Sequence, residues 1–342
     1  MESQAQKPQS FLQRKDVIIS FKRYGIDAMG TMALGLFASL IIGLMLTEAG
    51  GHLDIELLVT YGYFARNAAG FAIGVSIAHA LKAPPLVLFA AAAIGFAGND
   101  LGGPAGALIA SIVGVEIGKL VSKETPLDIM VTPFATLIAG GGIALLVGPP
   151  IGAFMDAIGS FIMWATELVP AIMGTLVGLV MGITLTSPIS SAAIGLALGL
   201  EGIAAGAAAA GAAANMVCFA VISYRENKIG GLISQGLGTS MFQLPNIMRN
   251  PKIWIPSLIA SGVGGFVSTV VFRLENIPAG SGMGASGLVG PFGALSTMGY
   301  TPVIIAQVLF VFFILPSVVG TVIAIFMRKK GWIKPGDMKL HI

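Results

Sequence analysis

Residues 26–47, IDAMGTMALGLFASLIIGLMLT, cover a full membrane thickness with one acidic side chain near the start, Asp27, and comparable apolar runs recur to the end of the chain. A bilayer core about 30 Å thick takes about 20 mostly apolar residues per helical span. Hydrocarbon offers no partner to a backbone N–H or C=O, so each span must satisfy its own. Hydrophobic residues make up 55% of the 342 and charged residues only 10%, against roughly a quarter charged in soluble domains. The chain therefore reads as an all-α polytopic membrane protein with about 8 to 10 transmembrane helices, the lipid bilayer being its first partner.

Spans are expected at about 26–47, 55–82, 84–98, 103–122, 127–149, 168–183, 192–223, 253–272 and 301–327. IGAFMDAIGSFIMWATELVP carries Asp156 and Glu167 and reads as an amphipathic helix near the outer interface. The first 23 residues are polar and basic, with no apolar core of a cleavable signal. They suggest a surface helix in which Phe11, Leu12, Val17, Ile18, Ile19 and Phe21 alternate with basic residues. Basic clusters at both ends, KPQSFLQRKDVIISFKRYG and MRKKGWIKPGDMK, predict that both termini are cytoplasmic and that the number of crossings is even. The net charge of +3 is small, and short clusters flanking spans give no reason to expect nucleic acid. Cys218 lies in an apolar run and reads as a core thiol.

Three stretches break the pattern: GITLTSPISS, GTSMFQLPNIMRNPKIWIPS and PAGSGMGASGLVGPFGALS. Non-helical backbone survives at membrane depth only when buried in protein or lining a wet cavity, which is how transporters build solute sites. The many Gly and Ala residues, as in GIAAGAAAAGAAAN, suit close helix packing in lipid. Ionisable groups inside a span are functional candidates. Arg66 falls mid-span and reads either as functional or as the partner of Glu116 or Asp100. Asn99 and Asp100 read as an outer turn, Glu201 as interfacial, Arg273 and Glu275 as a span end. Arg249 and Lys252 suit either an anionic ligand or an inner mouth.

The second broken stretch has the skeleton Gly238, Pro245, Pro251, Pro256 and Ser257. It resembles GITEGAIPFAAADPLRVIPS of the fructose-type IIC membrane subunits of the bacterial phosphotransferase system. TLIAGGGIALLVGPPIGAFM is similar to their TLIVGLLMFFVIGPPIA, and GLVMGITLTSPISSAA to their GAMMAFDMGGPVNKAA. GLVGPFGAL stands where they have APHGGI. The resemblance covers about residues 126–300 and extends to stand-alone IIC-like proteins that include the perfringolysin O regulator.

That resemblance implies an IIC-like fold with re-entrant hairpins. It divides the chain into a cytoplasmic amphipathic segment (1–25), a helical scaffold, dimerising in a homodimer (26–125), a substrate domain (126–327) and a cytoplasmic tail (328–342). By position it puts Thr184, Thr186, Ser187, Ser190, Ser240, Gln243, Asn246 and Ser286 in the substrate site as hydrogen-bonders, with Met241 and Phe292 as apolar walls. The family's Glu and His at the sugar site become Met241 and Phe292. Its Asp becomes Thr184, and its Asn and Lys become Ser190 and Ser191. Either the solute is less hydroxylated than a hexose, or Gln243 and Asn246 take over the lost hydrogen bonds. No catalytic residue, metal ligand or cofactor is expected: His52 reads as an outside-loop residue, His79 as a span end and His341 as part of the tail. Three readings stand: a transporter of a small solute, a non-transporting membrane regulator, and a sugar-phosphorylating subunit working with separate IIA and IIB proteins.

Overall fold

The computed structural model describes residues 10–340, apart from the side chain of His52. The expected N-terminal surface helix is described only from Ser10 onward, and His341 lies outside the described residues. Within them the surface helix is a single turn, α1 (Phe11–Arg14), closed by a capping box between Ser10 and Gln13. Asp16 follows in the left-handed region at φ 53° and reverses the chain.

Five helical passes then pack in sequence. Helix α2 (Lys22–Gly51) lies against α3 (Glu56–Asn67) and α4 (Ala69–Ala80), which Ala68 joins into one pass. Gly50 meets Val59, Gly43 meets Arg66 and Gly35 meets Ala72, so the pairing is antiparallel. Residues 85–101 (α5) and 104–121 (α6) form the next two passes. Gly102 (φ −148°, ψ 21°) and Gly103 (φ 60°, ψ −161°) leave the helical region between them. The chain folds back there: Gly98 faces Ala107, Ile94 faces Gly114, and Val87 faces Gly118. Gly103 supplies the positive φ that an L side chain resists, and Pro104 starts α6 where no N–H is needed. The turn expected at Asn99 and Asp100 thus falls at Gly102 and Gly103, and Asn99 and Asp100 stay in the helix. Helix α7 (Asp128–Thr166) runs back along α6, with Gly140 near Gly114 and Gly148 on Leu101. The run read as a span plus a separate amphipathic helix is one element, because Pro149 and Pro150 are accommodated without any non-helical residue.

The second half surrounds one helix. Around α8 (Pro170–Thr186), α9 (Ser191–Ala197), α10 (Gly202–Ile222), α11 (Tyr224–Ile233), α12 (Leu244–Arg249) and α13 (Pro251–Phe272) the chain winds on itself, followed by α14 (Pro278–Met283), α15 (Val289–Met298) and α16 (Pro302–Lys329). The most apolar window of α10 is 94% buried, against 22% for α7. Its Ala and Gly side chains let α8, α13, α14 and α16 approach together. Cys218, on this helix, is fully buried. Helix α8 runs parallel to α10, with Gly178 against Gly211 and Gly182 beside Asn215, while α13 is antiparallel to α8. Among the described residues, α2, α3 with α4, α5, α6, α7, α10, α13 and α16 make eight passes. Lys22 and Lys339 line one and the same cavity, so both chain ends lie at the same face.

An ionic cluster fastens the N-terminal segment to that face. The guanidinium of Arg23 donates to Asp16 (2.5 Å) and to the carbonyl of Leu81 (2.8 Å). Lys119 Nζ donates to the carbonyls of Asp16 (2.7 Å) and Leu81 (2.9 Å) and pairs with Glu116 at 2.9 Å. Tyr24 donates to Glu116 (3.0 Å), and Lys15 pairs with Glu124 (2.5 Å). The reading of Glu116 or Asp100 as a partner of Arg66 is corrected: Glu116 is held by Lys119, Arg23 and Tyr24. Arg66 stacks over the Tyr63 ring at 5.6 Å. The α5–α6 turn is the reason, since it sends Glu116 to the opposite end of the bundle from Asp100.

The hydrogen bond from Arg23 holds the Asp16 carboxyl below its ordinary value of 3.8. A carboxylate whose folded pKa is depressed adds stability above the unfolded value and loses it as pH falls through the folded one. Protease protection of residues 10–20 is therefore expected to stay constant from pH 8 to about 4.5 and to fall below about 3.8. Asp16→Asn removes that step.

Candidate functional site

The three broken stretches each turn back partway along α10. Between α8 and α10, residues 187–201 leave Thr186 beside Asn215 and return to Gly202, which bridges Asn276. The third stretch starts from that same end, reaches Ala212 and Ala213 at Gly284, and comes back so that Gly293 rejoins Asn276. The second enters from the opposite end of α10, through α11, and leaves through α12. Thr239 is extended (φ −156°, ψ 141°), and a 3-10 turn over Ser240–Gln243 follows. Its tip meets the first stretch near the level of Asn215.

A hydroxyl and amide chain joins the tips. Thr186 Oγ1 lies 2.7 Å from Ser240 Oγ and 3.0 Å from Asn215 Oδ1. The single Thr186 hydrogen has the Asn215 Oδ1 and the Gly182 carbonyl (3.2 Å) within reach, and when it is given to either of them Thr186 accepts from Ser240. Asn215 Nδ2 reaches Ser261 Oγ at 3.4 Å, and Ser261 donates to the carbonyl of Ser257 (2.9 Å). Ser191 Oγ donates to the carbonyl of Gly282 (2.6 Å), tying the first stretch to the third. All of these side chains are buried, so the network fixes the tips relative to one another.

Beside it lies a cavity of about 60 Å³. Ile189, Ser190 and Ser191 line it from the first stretch, Gly238, Thr239 and Met241 from the second, and Met283 and Ser286 from the third. Leu36, Leu40, Ile41 and Pro104 close it from α2 and α6. None of its lining residues is ionisable. The hydroxyl of Ser286, a residue only 1% exposed, has no hydrogen-bond partner among the described residues. A volume of this size holds a few waters, well below the several hundred Å³ of an open small-molecule pocket.

Of the residues expected in the substrate site, Ser190, Met241 and Ser286 line this cavity, and Thr186 and Ser240 stand behind it in the network. Thr184 is buried and donates to the carbonyl of Met181 (3.0 Å), and Ser187 donates to the carbonyl of Ile183 (2.8 Å). Ser190 also caps α9, accepting from the Ala193 N–H. Phe292, half-buried on α15, is not among the lining residues. Gln243 and Asn246 face away, towards the C-terminal tail: Gln243 Nε2 donates to the carbonyl of Met338 (3.0 Å) and Asn246 Nδ2 to that of Lys339 (3.0 Å). Sequence reasoning passed over Asn215, Thr239 and Ser261. Asn215 had a legible signal, being the one carboxamide in the apolar run that became α10.

Passes broken around an interior cavity, with both described chain ends at one face, define an all-α multi-pass membrane protein. A family model for the phosphotransferase system EIIC proteins matches residues 26–340, nearly the whole chain and more than the 126–300 region that carried the sequence resemblance. The chain belongs to this family. Among curated proteins and solved structures, none matches it.

Proposed function

We propose that the protein moves a small, sparsely hydroxylated solute across the bacterial cytoplasmic membrane through the cavity where the three stretches meet. The observation that carries this reading is the unpartnered, buried hydroxyl of Ser286 at a lining otherwise made of alkyl, thioether and Ser/Thr groups. A buried polar group without a partner costs about 1–3 kcal/mol, a cost a solute hydroxyl or carbonyl would relieve. The stretches then act as re-entrant hairpins, and the substrate domain (126–327) moves against the scaffold (26–125), since the cavity is shared between α2, α6 and the hairpins. The scaffold (26–125), as the family resemblance implies, serves a homodimer. Orientation follows from charge: the face carrying Lys22, Lys123, Lys252 and Lys339 is cytoplasmic by the positive-inside tendency, while Arg273 ends α13 at the opposite side. In this reading any phosphoryl group is supplied by IIA and IIB units of the phosphotransferase system and not by residues 26–340.

A thermal-shift screen in detergent tests this, using sugars, polyols, amino acids, nucleosides and small organic acids. A ligand of the native state raises apparent stability with its excess over Kd. Ser286→Ala is expected to abolish the shift while leaving the ligand-free protein up to about 1 kcal/mol more stable, because the orphan hydroxyl is gone. A shift that survives both Ser286→Ala and Ser240→Ala puts the solute elsewhere. No shift with any class moves the reading to a membrane regulator.

A further inference from the structure

After α16 the chain turns at Gly331 and Gly336 (φ 71° and 93°) and lays residues 337–340 across the second broken stretch. Its main chain is read group by group. The carbonyl of Met338 accepts from Gln243 Nε2 (3.0 Å) and from Asn227 Nδ2 (2.8 Å). That of Lys339 accepts from Asn246 (3.0 Å), the N–H of Met338 donates to Glu226 (2.9 Å), and the N–H of Leu340 donates to Asn227 Oδ1 (2.8 Å). Two apolar side chains anchor the segment. Met338, fully buried, joins Ile247 and Ile253, while Leu340 joins Met241 and Phe242 from the second stretch and Ala28 and Met32 from α2.

We propose that the α11–α12 surface is a groove for an extended apolar-x-apolar peptide, and that this chain's own tail occupies it as a displaceable latch on the cavity. Main-chain recognition plus alternate side-chain anchors is how extended peptides bind. Gln243 is 0% and Asn246 3% exposed, so departure of the tail leaves carboxamide hydrogens that water must then reach. Leu340 shares a cluster with residues of α2 and of the second stretch and lines one cavity with Gly30 and Phe242, so the tail sits at the seam along which the two parts must slide. Met241 belongs both to the Leu340 cluster and to the cavity wall, which gives the latch a contact path to the site. This latch rests on the proposed transport role of the cavity.

The test uses Ser286→Cys as reporter, because the sole native cysteine, Cys218, is fully buried. Labelling by a membrane-impermeant maleimide is timed from each face of sealed vesicles, for the full chain and for a chain ending at Gly336. The latch predicts labelling about tenfold faster, or more, from the tail's face in the shortened chain. A peptide of residues 334–340 added in trans should restore the slow rate, and the same peptide with both Met338 and Leu340 replaced by serine should not. Equal rates in the two chains overturn it. So does fast labelling that the peptide fails to slow, which marks damage from truncation. If Ser286→Cys reacts from neither face in either chain, the cavity reading fails. Fluorescence anisotropy of the labelled peptide then decides the groove: binding to the shortened chain, weakened by Asn227→Ala, supports it, and no binding overturns it.

Discussion

Valine at Gly211 is expected to leave no monodisperse protein in detergent, and alanine there to lower the melting temperature severely. A Cβ on Gly211 would overlap the backbone of Gly178, one on Gly265 would overlap the carbonyl of Gly174, and one on Gly178 would stand 2.8 Å from the carbonyl of Ser261. Three helices, α8, α10 and α13, thus touch main chain to main chain, and there is no flexible side chain to yield. Overpacking ordinarily costs about 1–3 kcal/mol. With rigid backbone on both sides the loss should exceed about 3 kcal/mol, a large part of the 5–15 kcal/mol that holds a typical domain. The damage also reaches the site, since Asn215 lies one turn beyond Gly211. Gly152→Ala is the control: nothing lies within 4 Å of a Cβ there, so the gain in helix propensity, about 1 kcal/mol, should show as slight stabilisation. Equal effects at Gly152 and Gly211 would refute the packing argument.

Lys119→Met should be the most damaging single charge removal. The lysine side chain is 1% exposed, against 11% for Glu116, and its ammonium satisfies two carbonyls as well as the carboxylate. Removing one partner of a buried ion pair costs about 3–5 kcal/mol, because the other charge stays buried. Adding Glu116→Gln should return a good part of that loss, as a double-mutant cycle would measure. Arg66→Ala should cost no more than about 1 kcal/mol, the range of an exposed cation–π contact. A larger loss at Arg66 than at Lys119 would show that the ionic cluster is not what fixes the N-terminal segment.

The apolar runs were legible because hydrocarbon imposes one requirement on every span: residues 55–82, 253–272 and 301–327 each became a pass close to its expected bounds. The glycine pair before Pro104 could be read as a turn because a proline and two glycines admit little else. Ending a span at 149 and starting a separate amphipathic helix failed, since Pro149 and Pro150 are carried inside one helix. Arg66 and Glu116 show the deeper limit. Partners of a buried charge depend on which ends of which helices share a face, and that follows from the turns and not from local composition. The residues expected in the substrate site came together only in part. Motif order led to Ser190, Ser240, Met241 and Ser286, but no sequence pattern announces that a polar tail will return to occupy Gln243 and Asn246.

Helix α7 is longer than the membrane it crosses is thick. Its 39 residues reach about 58 Å at 1.5 Å per residue, nearly twice the thickness of a bilayer's hydrocarbon. Phe154, Phe161, Met163 and Trp164, all beyond Gly148, are exposed and too apolar to stand in water. The rod must lie steeply tilted, or the lipid beside it must deform to keep those rings covered, at a cost of fractions of a kcal/mol per ångström of mismatch. The acyl-chain length of the host membrane thereby becomes a mechanical load on this protein, applied to the helix that joins its two halves.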